Sequence, residues 1–177
     1  VAVDHLWAPW RLSYVAQPPK PPAPGEDCFI CRGLAADADR EHLIALRTVH
    51  SVVVLNRFPY NNGHLLVAPR SHKARPDELA DAETLDLQHT LRRMIAVVEK
   101  RMNPDGFNVG LNLGKAAGAG LPGHLHWHLV PRWAGDTNFM PVLTDTKVIV
   151  QSLDALYDLL REELTGSSLP RSASPRG

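Results

Sequence analysis

Hydrophobic residues cluster along the first half of the chain in short runs that are typical of strands. Three runs rich in aliphatic and β-branched residues occupy positions 42–47, 51–58 and 63–69. The turn-forming sequence PYNNG separates the second run from the third, and Pro69 ends the third because proline donates no ladder hydrogen bond. These runs predict the first three strands of a sheet.

Helical periodicity appears later, in two separate segments. Between residues 76 and 103 apolar residues recur every three or four positions, and the Asn103-Pro104 pair ends the pattern. Residues 106–112 alternate like a half-buried strand, and residues 153–164 repeat the helical pattern with Ser152 as the predicted N-cap. Together with a fifth strand at residues 123–133, the order β-β-β-α-β-β-α predicts an α+β domain. It has an antiparallel sheet of about five strands, one long helix and one C-terminal helix.

The fifth predicted strand, GHLHWHLVPRW, carries three histidines at every second position, His124, His126 and His128. Alternate residues of a strand share a face, so this spacing predicts three imidazoles on one side. Leu125, Trp127 and Leu129 would then pack on the other side and hold the strand rigid.

Composition limits the classes of partner. Of the 177 residues 44% are hydrophobic, and 19 basic residues balance 19 acidic ones. This balance argues against a broad nucleic-acid or anionic-membrane surface, and no apolar run approaches the ~18 residues of a membrane span. The first residues lack the pattern of a secretory signal, and a single pair of cysteines is no disulfide framework. We therefore expect a cytoplasmic protein without nucleic-acid or membrane partners.

The predicted organisation has three parts. Residues 1–26 form an N-terminal arm, which contains LWAPWR and a proline-rich linker. Residues 27–165 form the main domain, and the polar, Ser- and Pro-rich residues 166–177 form a disordered tail. The arm is expected to dock on its own sheet or across a dimer contact.

Two kinds of chemistry suit three alternating histidines. One is a three-histidine zinc site with an open position that activates water; the other is a nucleophilic histidine supported by its neighbours. Alternate Cβ atoms lie ~6.5–7 Å apart on a strand, so the outer two rings converge poorly on one metal. A metal-bound water would also lack a nearby base, since the next acidic residue is Asp136.

A Cys-x-x-Cys sequence, Cys28 to Cys31, offers a second site. A redox-active Cys-x-x-Cys usually lies in a βαβ unit, and the hydrophobic pattern around Cys28 and Cys31 does not predict one. Zinc would need about two further ligands, and the candidates are His42, His50, His72 and His124.

The segment from His124 to Val130 resembles the signature of the histidine-triad (HIT) family of nucleotide hydrolases and transferases. Residues 52–72 resemble the family's upstream strand pair, and GFNVGLNLG resembles the strand that enters its phosphate loop. The flanking sequences LWAPWR, CFIC and PRWAGDTNFMP are similar to a bacterial branch that includes diadenosine-polyphosphate phosphorylases. The resemblance implies a HIT-like fold, a homodimer that joins two sheets, and a nucleotide as substrate.

The resemblance also implies catalytic roles. His126 would attack the α-phosphorus of a nucleoside phosphate ester or anhydride, a dinucleoside polyphosphate being favoured, to give a nucleotidyl-histidine. His128 would contact the phosphoryl oxygens or the leaving group, and His64 would orient the nucleophile. Neither hydrolysis nor phosphorolysis is favoured at this point. A zinc-stabilised, non-catalytic nucleotide-binding protein and a three-histidine zinc hydrolase stay as alternatives.

For nucleotide binding the resemblance implies that Asn56 contacts the ribose hydroxyls and Asn112 the α-phosphate. Gly114 and Gly120 belong to a glycine-rich loop whose backbone N–H groups would approach phosphate. Gly120 and the following leucine stand where many members have Gly-Gln-Ser or Gly-Gln-Thr, which removes a side chain that could contact the leaving group. Lys115 is a further candidate cation, although an isolated loop lysine is more often simply solvated.

For the metal, the resemblance implies a structural Cys2His2 zinc site of Cys28, Cys31, His72 and His124. Such a closed site has no open position for substrate. The first histidine of the triad would then hold zinc, the second attack phosphorus and the third handle phosphate.

Overall fold

The computed structural model describes residues 28–137 and 149–166. Contacts divide the chain into two compact units, and the described elements belong to the one formed by Cys28–Asp136 and Ile149–Gly177. The predicted arm and all but the first residue of the predicted tail lie outside the described residues. Among the described residues no helix is long and apolar enough to cross a membrane.

The unit is an α+β fold, as predicted, with a single five-stranded antiparallel sheet in the order β1-β2-β3-β5-β4. In chain order its elements are α1 (Phe29–Ala35), β1 (Ile44–Arg47), β2 (Ser51–Leu55), β3 (Leu65–Pro69), α2 (Asp81–Met102), β4 (Gly106–Leu111), β5 (Trp127–Arg132) and α3 (Leu153–Thr165). Short 3-10 turns occur at Pro76–Glu78 and Lys115–Ala117. The two predicted helices are α2 and α3, and Ser152 caps α3 by accepting the Ala155 N–H.

One face of the sheet packs against α2 and α3. The shared core combines strand residues with the apolar stripes of both helices and includes Val53, Leu65, Val67, Leu87, Met94, Leu129 and Leu160. Trp127 packs against the same core, and Leu125 is buried. The apolar residues between the histidines therefore face packed surroundings, as their alternation predicts.

The opposite face is covered partly by α1, a helix that the sequence patterns do not predict. Cys28 is its N-cap and accepts the Cys31 N–H through Sγ at 3.4 Å. Arg47 ends the helix by donating to the carbonyls of Gly33, Leu34 and Ala36. This cap comes from a strand more than ten residues away, so no local capping pattern reveals it.

The histidine segment differs from the single strand that its alternation predicts. β5 begins only at Trp127, so His124 and His126 lie ahead of the ladder. The Leu125 N–H donates instead to the Lys73 carbonyl at 2.6 Å, beyond the end of β3. Only His128 is paired within the sheet, opposite Leu66 on β3 and Gly110 on β4. The prediction of one strand carrying all three imidazoles is therefore wrong for the first two.

Candidate active site and metal cluster

The four predicted metal ligands meet at the start of α1. One donor atom from each of Cys28, Cys31, His72 and His124 lies within 4.8 Å of the other three. His124 Nδ1 lies 3.2 Å from the Cys28 sulfur and 3.5 Å from the Cys31 sulfur. His72 Nδ1 lies 3.2 Å from the Cys31 sulfur. The other candidates raised by the sequence, His42 and His50, are not part of this group.

Backbone contacts direct His124 toward the sulfurs. Its ring is fully buried, and Nε2 lies 2.8 Å from the Pro69 carbonyl oxygen. A carbonyl only accepts, so Nε2 carries the proton and Nδ1 presents its lone pair to the cysteines. Burial, opposed by the hydrogen bond to Pro69, lowers the pKa of His124. A histidine whose second nitrogen donates to a carbonyl is the usual form of a metal-bound imidazole.

The cluster fits a tetrahedral cation. With Zn–S and Zn–N bonds of ordinary length, a sulfur and a nitrogen ligand lie about 3.5 Å apart, close to the three separations above. Burial, and then the adjacent Cys28 thiol, raises the pKa of Cys31 to about 11. Without a cation Cys31 is therefore a neutral thiol at neutral pH, and a bound metal would ionise it.

His126 turns away from the cluster and keeps one nitrogen available. Its Nδ1 lies 2.8 Å from the His124 carbonyl oxygen, so Nδ1 carries the proton. In the neutral ring Nε2 then has a lone pair, and in the described part of the chain Nε2 has no hydrogen-bond partner. The residue is only 7% exposed. The backbone thus fixes the tautomer that a nucleophilic imidazole needs.

A second chain of hydrogen bonds fixes the tautomer of His128. The Tyr60 N–H donates to His64 Nδ1 at 3.0 Å, so the proton of the neutral His64 ring is on Nε2. His64 Nε2 lies 2.9 Å from His128 Nδ1 and donates to it. Neutral His128 therefore carries its proton on Nε2. This atom is buried and has no partner among the described residues.

His128 is held neutral in this position. Burial, with a smaller contribution from the charge of His126, lowers the pKa of His128 to about 4. The ring of Tyr60 stacks on it, with 5.4 Å between centroids and 20° between planes. The His126 ring meets it edge-on at 5.1 Å. Tyr60 belongs to the predicted PYNNG turn, and nothing in its spacing signals a contact with the triad.

Asn56 connects this network to a cavity. Its amide nitrogen lies 3.2 Å from His64 Nδ1, and its oxygen accepts the Phe58 N–H. Asn56 also lines a cavity of about 430 Å³ together with apolar and charged side chains, namely Phe29, Arg32, Glu41, His42, Leu43, Val54, Leu55, Arg57, Phe58 and Leu66. Leu66, opposite His128, belongs to the same cavity wall.

Asn112 and the glycine-rich loop lie at the end of β4. In the described structure the Asn112 side chain makes no hydrogen bond, and its amide nitrogen lies 3.9 Å from the place of a Cβ on Gly118. Gly114 (φ 76°) and Gly118 (φ 88°) bracket the short turn with positive φ, which favours glycine. Lys115 and Gly120 are exposed, which agrees with the interpretation of Lys115 as a solvated loop residue.

The three triad histidines do not converge on one point. Both nitrogens of His124 are engaged, by Pro69 and by the cysteine sulfurs. His126 and His128 each direct Nδ1 at a different partner. Among the described residues, the Cys2His2 group is the one cluster with metal-binding geometry. This arrangement speaks against a catalytic three-histidine zinc site.

The chain is similar to characterised proteins over most of its length. "AP-4-A phosphorylase" of Mycobacterium tuberculosis is 38% identical over 164 residues, which cover 91% of this chain and 84% of that protein. The asymmetrical bis(5'-nucleosyl)-tetraphosphatase of Schizosaccharomyces pombe is 34% identical over 135 residues, or 73% of this chain and 74% of that protein.

Solved structures share the fold. The Caenorhabditis elegans NitFhit protein superposes with a TM-score of 0.56 at 32% identity, over 68% of this chain and 27% of that one. A Zn-bound histidine triad family protein from Mycobacterium smegmatis superposes with a TM-score of 0.62 at 23% identity, over 79% of this chain and 94% of that one. The HIT domain model matches residues 39–135, more than half of the sequence. Together with the triad geometry, this match places the chain in the histidine-triad (HIT) family.

Proposed function

We propose that the protein is an enzyme that cleaves dinucleoside polyphosphates at an α-phosphate through a nucleotidyl-histidine on His126. The observation that carries this proposal is the His126 ring, whose Nδ1 is tied to a backbone carbonyl while Nε2 has a lone pair and no partner in the described residues. The named activities of the Mycobacterium tuberculosis and Schizosaccharomyces pombe relatives support the choice of substrate.

In the first step the lone pair of His126 Nε2 attacks the α-phosphorus. The N–P bond forms, the P–O bond to the remaining polyphosphate breaks, and the leaving oxygen departs with the electron pair. The ring becomes positively charged because it keeps its proton on Nδ1. The His124 carbonyl, 2.8 Å away, stabilises that charge through the hydrogen bond it already accepts.

His128 acts on the oxygens. Its Nε2–H is a buried donor with no partner in the described residues, so an anionic phosphoryl or leaving oxygen would satisfy it. A donor fixed in advance stabilises charge that develops in the transition state. His64 and Asn56 position His128, since the hydrogen bond from His64 sets its tautomer and Asn56 contacts the His64 ring.

In the second step an oxygen acceptor attacks the same phosphorus. The N–P bond breaks and its electron pair returns to Nε2, which regenerates the neutral ring. With water the product is a nucleoside monophosphate and a proton is released. With inorganic phosphate the product is a nucleoside diphosphate. The identity of the acceptor is therefore the first property to measure.

The cavity beside Asn56 is the proposed nucleoside site. Phe29, Leu43 and Phe58 give it apolar surface for a base, and Asn56 stands between it and the histidines. The predicted contact of Asn56 with ribose is kept as part of this proposal. Asn112, whose amide is unpaired in the described structure, is proposed to contact the α-phosphate, with the backbone of the loop from Gly114 to Gly120 beside it.

We assign a structural zinc ion to Cys28, Cys31, His72 and His124. The donor set and the separations support tetrahedral coordination, with the Pro69 carbonyl holding the tautomer of His124. The metal would close the cluster and supply rigidity rather than reactivity. Its effect on catalysis would pass through His124, whose carbonyl anchors His126.

A homodimer is the proposed assembly. β4 is an edge strand whose residues Asn108, Val109 and Gly110 are exposed. An unpaired edge offers N–H and C=O groups to a second copy of the same strand. A single species at the monomer mass in light scattering at micromolar concentration would contradict this assembly.

The proposed reaction is tested with diadenosine tetraphosphate, incubated with and without inorganic phosphate and resolved by chromatography. AMP plus ATP means hydrolysis, and ADP plus ATP formed only with phosphate means phosphorolysis. Brief incubation followed by acid-free denaturation should trap AMP on the protein. Binding of an unchanged ligand would instead support the non-catalytic alternative and overturn the proposal.

A further inference from the structure

His72 is the least supported member of the metal cluster. His124 is fully buried and its second nitrogen donates to Pro69. His72 is exposed, and its Nε2 has no hydrogen-bond partner in the described residues. The His72 ring contacts the Cys31 sulfur through Nδ1 and meets the His124 ring edge-on, with 5.0 Å between the ring centroids. Its position therefore depends on the backbone that carries it.

That backbone is held on both sides by one carboxylate from the first turn of α2. Ser71 Oγ donates to Glu83 Oε1 at 2.5 Å, and Lys73 Nζ donates to Glu83 Oε2 at 2.6 Å. The Ala80 N–H also donates to Oε2, at 2.8 Å. Glu83 is only 9% exposed, and its hydrogen bonds, the one from Lys73 foremost, hold its pKa at about 2.

We propose that Glu83 is a positioning residue for the metal: it fixes the Ser71–Lys73 segment so that His72 completes the coordination sphere. This inference rests on the zinc site proposed above. The same segment reaches the triad, since the Lys73 carbonyl accepts the Leu125 N–H at 2.6 Å. Glu83 thus links α2 to a ligand of the metal and to the chain between the first two histidines.

A matched control lies one turn further along α2. Asp86 Oδ2 accepts the hydroxyls of Thr48 and Ser51 and the His50 N–H, but none of these residues belongs to the cluster. Glu83→Gln and Asp86→Asn each remove one partly or fully buried carboxylate charge from the same helix. A general loss of stability would affect both variants, whereas a role in metal retention distinguishes them.

The experiment measures zinc directly. Zinc-loaded wild-type protein and both variants are mixed with a chromogenic chelator, and the rate and midpoint of zinc release are recorded alongside thermal unfolding. Substitutions of residues that orient a metal ligand typically weaken metal affinity by about ten- to a hundredfold. We expect at least about a tenfold loss of zinc affinity for Glu83→Gln, and release by Asp86→Asn like that of the wild type.

A second variant separates the proposed positioning role of Glu83 from its contact with the Ala80 N–H at the start of α2. Ser71→Ala combined with Lys73→Met removes the loop contacts but leaves Glu83 to accept the Ala80 N–H, and it should also release zinc faster. Wild-type release rates in both Glu83→Gln and the double variant would overturn the inference while leaving the zinc site intact. If wild-type protein holds no stoichiometric zinc, the proposed site itself fails, and the inference fails with it.

Discussion

The two ends of the histidine segment use the same side chain in opposite ways. At the cysteine end the Pro69 carbonyl accepts the hydrogen bond from His124 Nε2, so the lone pair on His124 Nδ1 points toward the two cysteine sulfurs. At the other end the Tyr60 N–H donates to His64, and this series of hydrogen bonds ends at His128 Nε2–H, which has no partner in the described part of the protein. A backbone acceptor leaves His124 with a lone pair that suits a metal, whereas a backbone donor at His64 leaves His128 with an N–H donor.

His126 lies between the two ends and depends on both. Its Nδ1 donates to a carbonyl of the cysteine end, while its ring contacts His128 edge-on. The proposed nucleophile is therefore anchored by the part of the site proposed to be structural and contacts the part proposed to bind phosphate. Perturbing each end separately should change different properties of the protein.

The largest effect should come from the residue between the ends. His126→Ala removes the proposed nucleophile and should lower turnover of diadenosine tetraphosphate by about 10⁴-fold or more, as nucleophile deletions do in other covalent enzymes. The AMP–protein adduct should disappear as well. His89→Ala, on the exposed side of α2, serves as control and should keep wild-type turnover. Undiminished turnover in the His126 variant would refute the mechanism.

Next in size is loss of the cysteine end. Cys28→Ser, or removal of zinc by a chelator, should destabilise the protein by at least about 3 kcal/mol and lower the Tm by about 6–12 °C. Turnover should fall secondarily, because the His124 carbonyl that anchors His126 would shift. Metal analysis and thermal unfolding check this together. Identical Tm values with and without chelator would contradict the structural role proposed for the cysteine end.

A smaller effect is expected at the other end. Tyr60→Leu removes the ring stacked on His128 but keeps the backbone N–H that sets the tautomer of His64. It should lower kcat about three- to tenfold, which corresponds to the free energy of one aromatic contact, and it should change KM less. Tyr60→Phe keeps the ring and should retain wild-type kcat. If Phe is as impaired as Leu, the hydroxyl rather than the stacked ring matters.

The smallest effect is a pH dependence of stability. His128 has a pKa of about 4 in the folded protein, below the ordinary 6.5, so protons bind the unfolded chain more readily. Its contribution is fully present above pH 6.5 and is lost as the pH falls toward 4. The gap in unfolding free energy between wild type and His128→Asn should therefore narrow between pH 7 and pH 5 in urea titrations. A constant difference in unfolding free energy would contradict a neutral, partly buried His128 ring.

Sheet and helices follow from the sequence because periodicity is local: the apolar stripe of α2 and the alternation of β4 each span few residues. The break before Trp127 is not local, since the Lys73 carbonyl that draws Leu125 away comes from a distant loop. The same holds for the Arg47 cap on α1 and for the stacking of Tyr60 on His128. The Cys2His2 grouping was expected only through family resemblance, because spacing alone left four candidate histidines.

Gly110 carries a consequence for the breadth of substrates. It lies directly opposite His128, and paired residues on neighbouring strands project from the same face of a sheet. A Cβ at Gly110 would meet nothing within 4 Å, so larger residues fit there without disturbing the core. Each would stand beside the imidazole and narrow the approach to it. Substituting Gly110 by alanine, serine and valine in turn should therefore narrow the approach to His128 in steps.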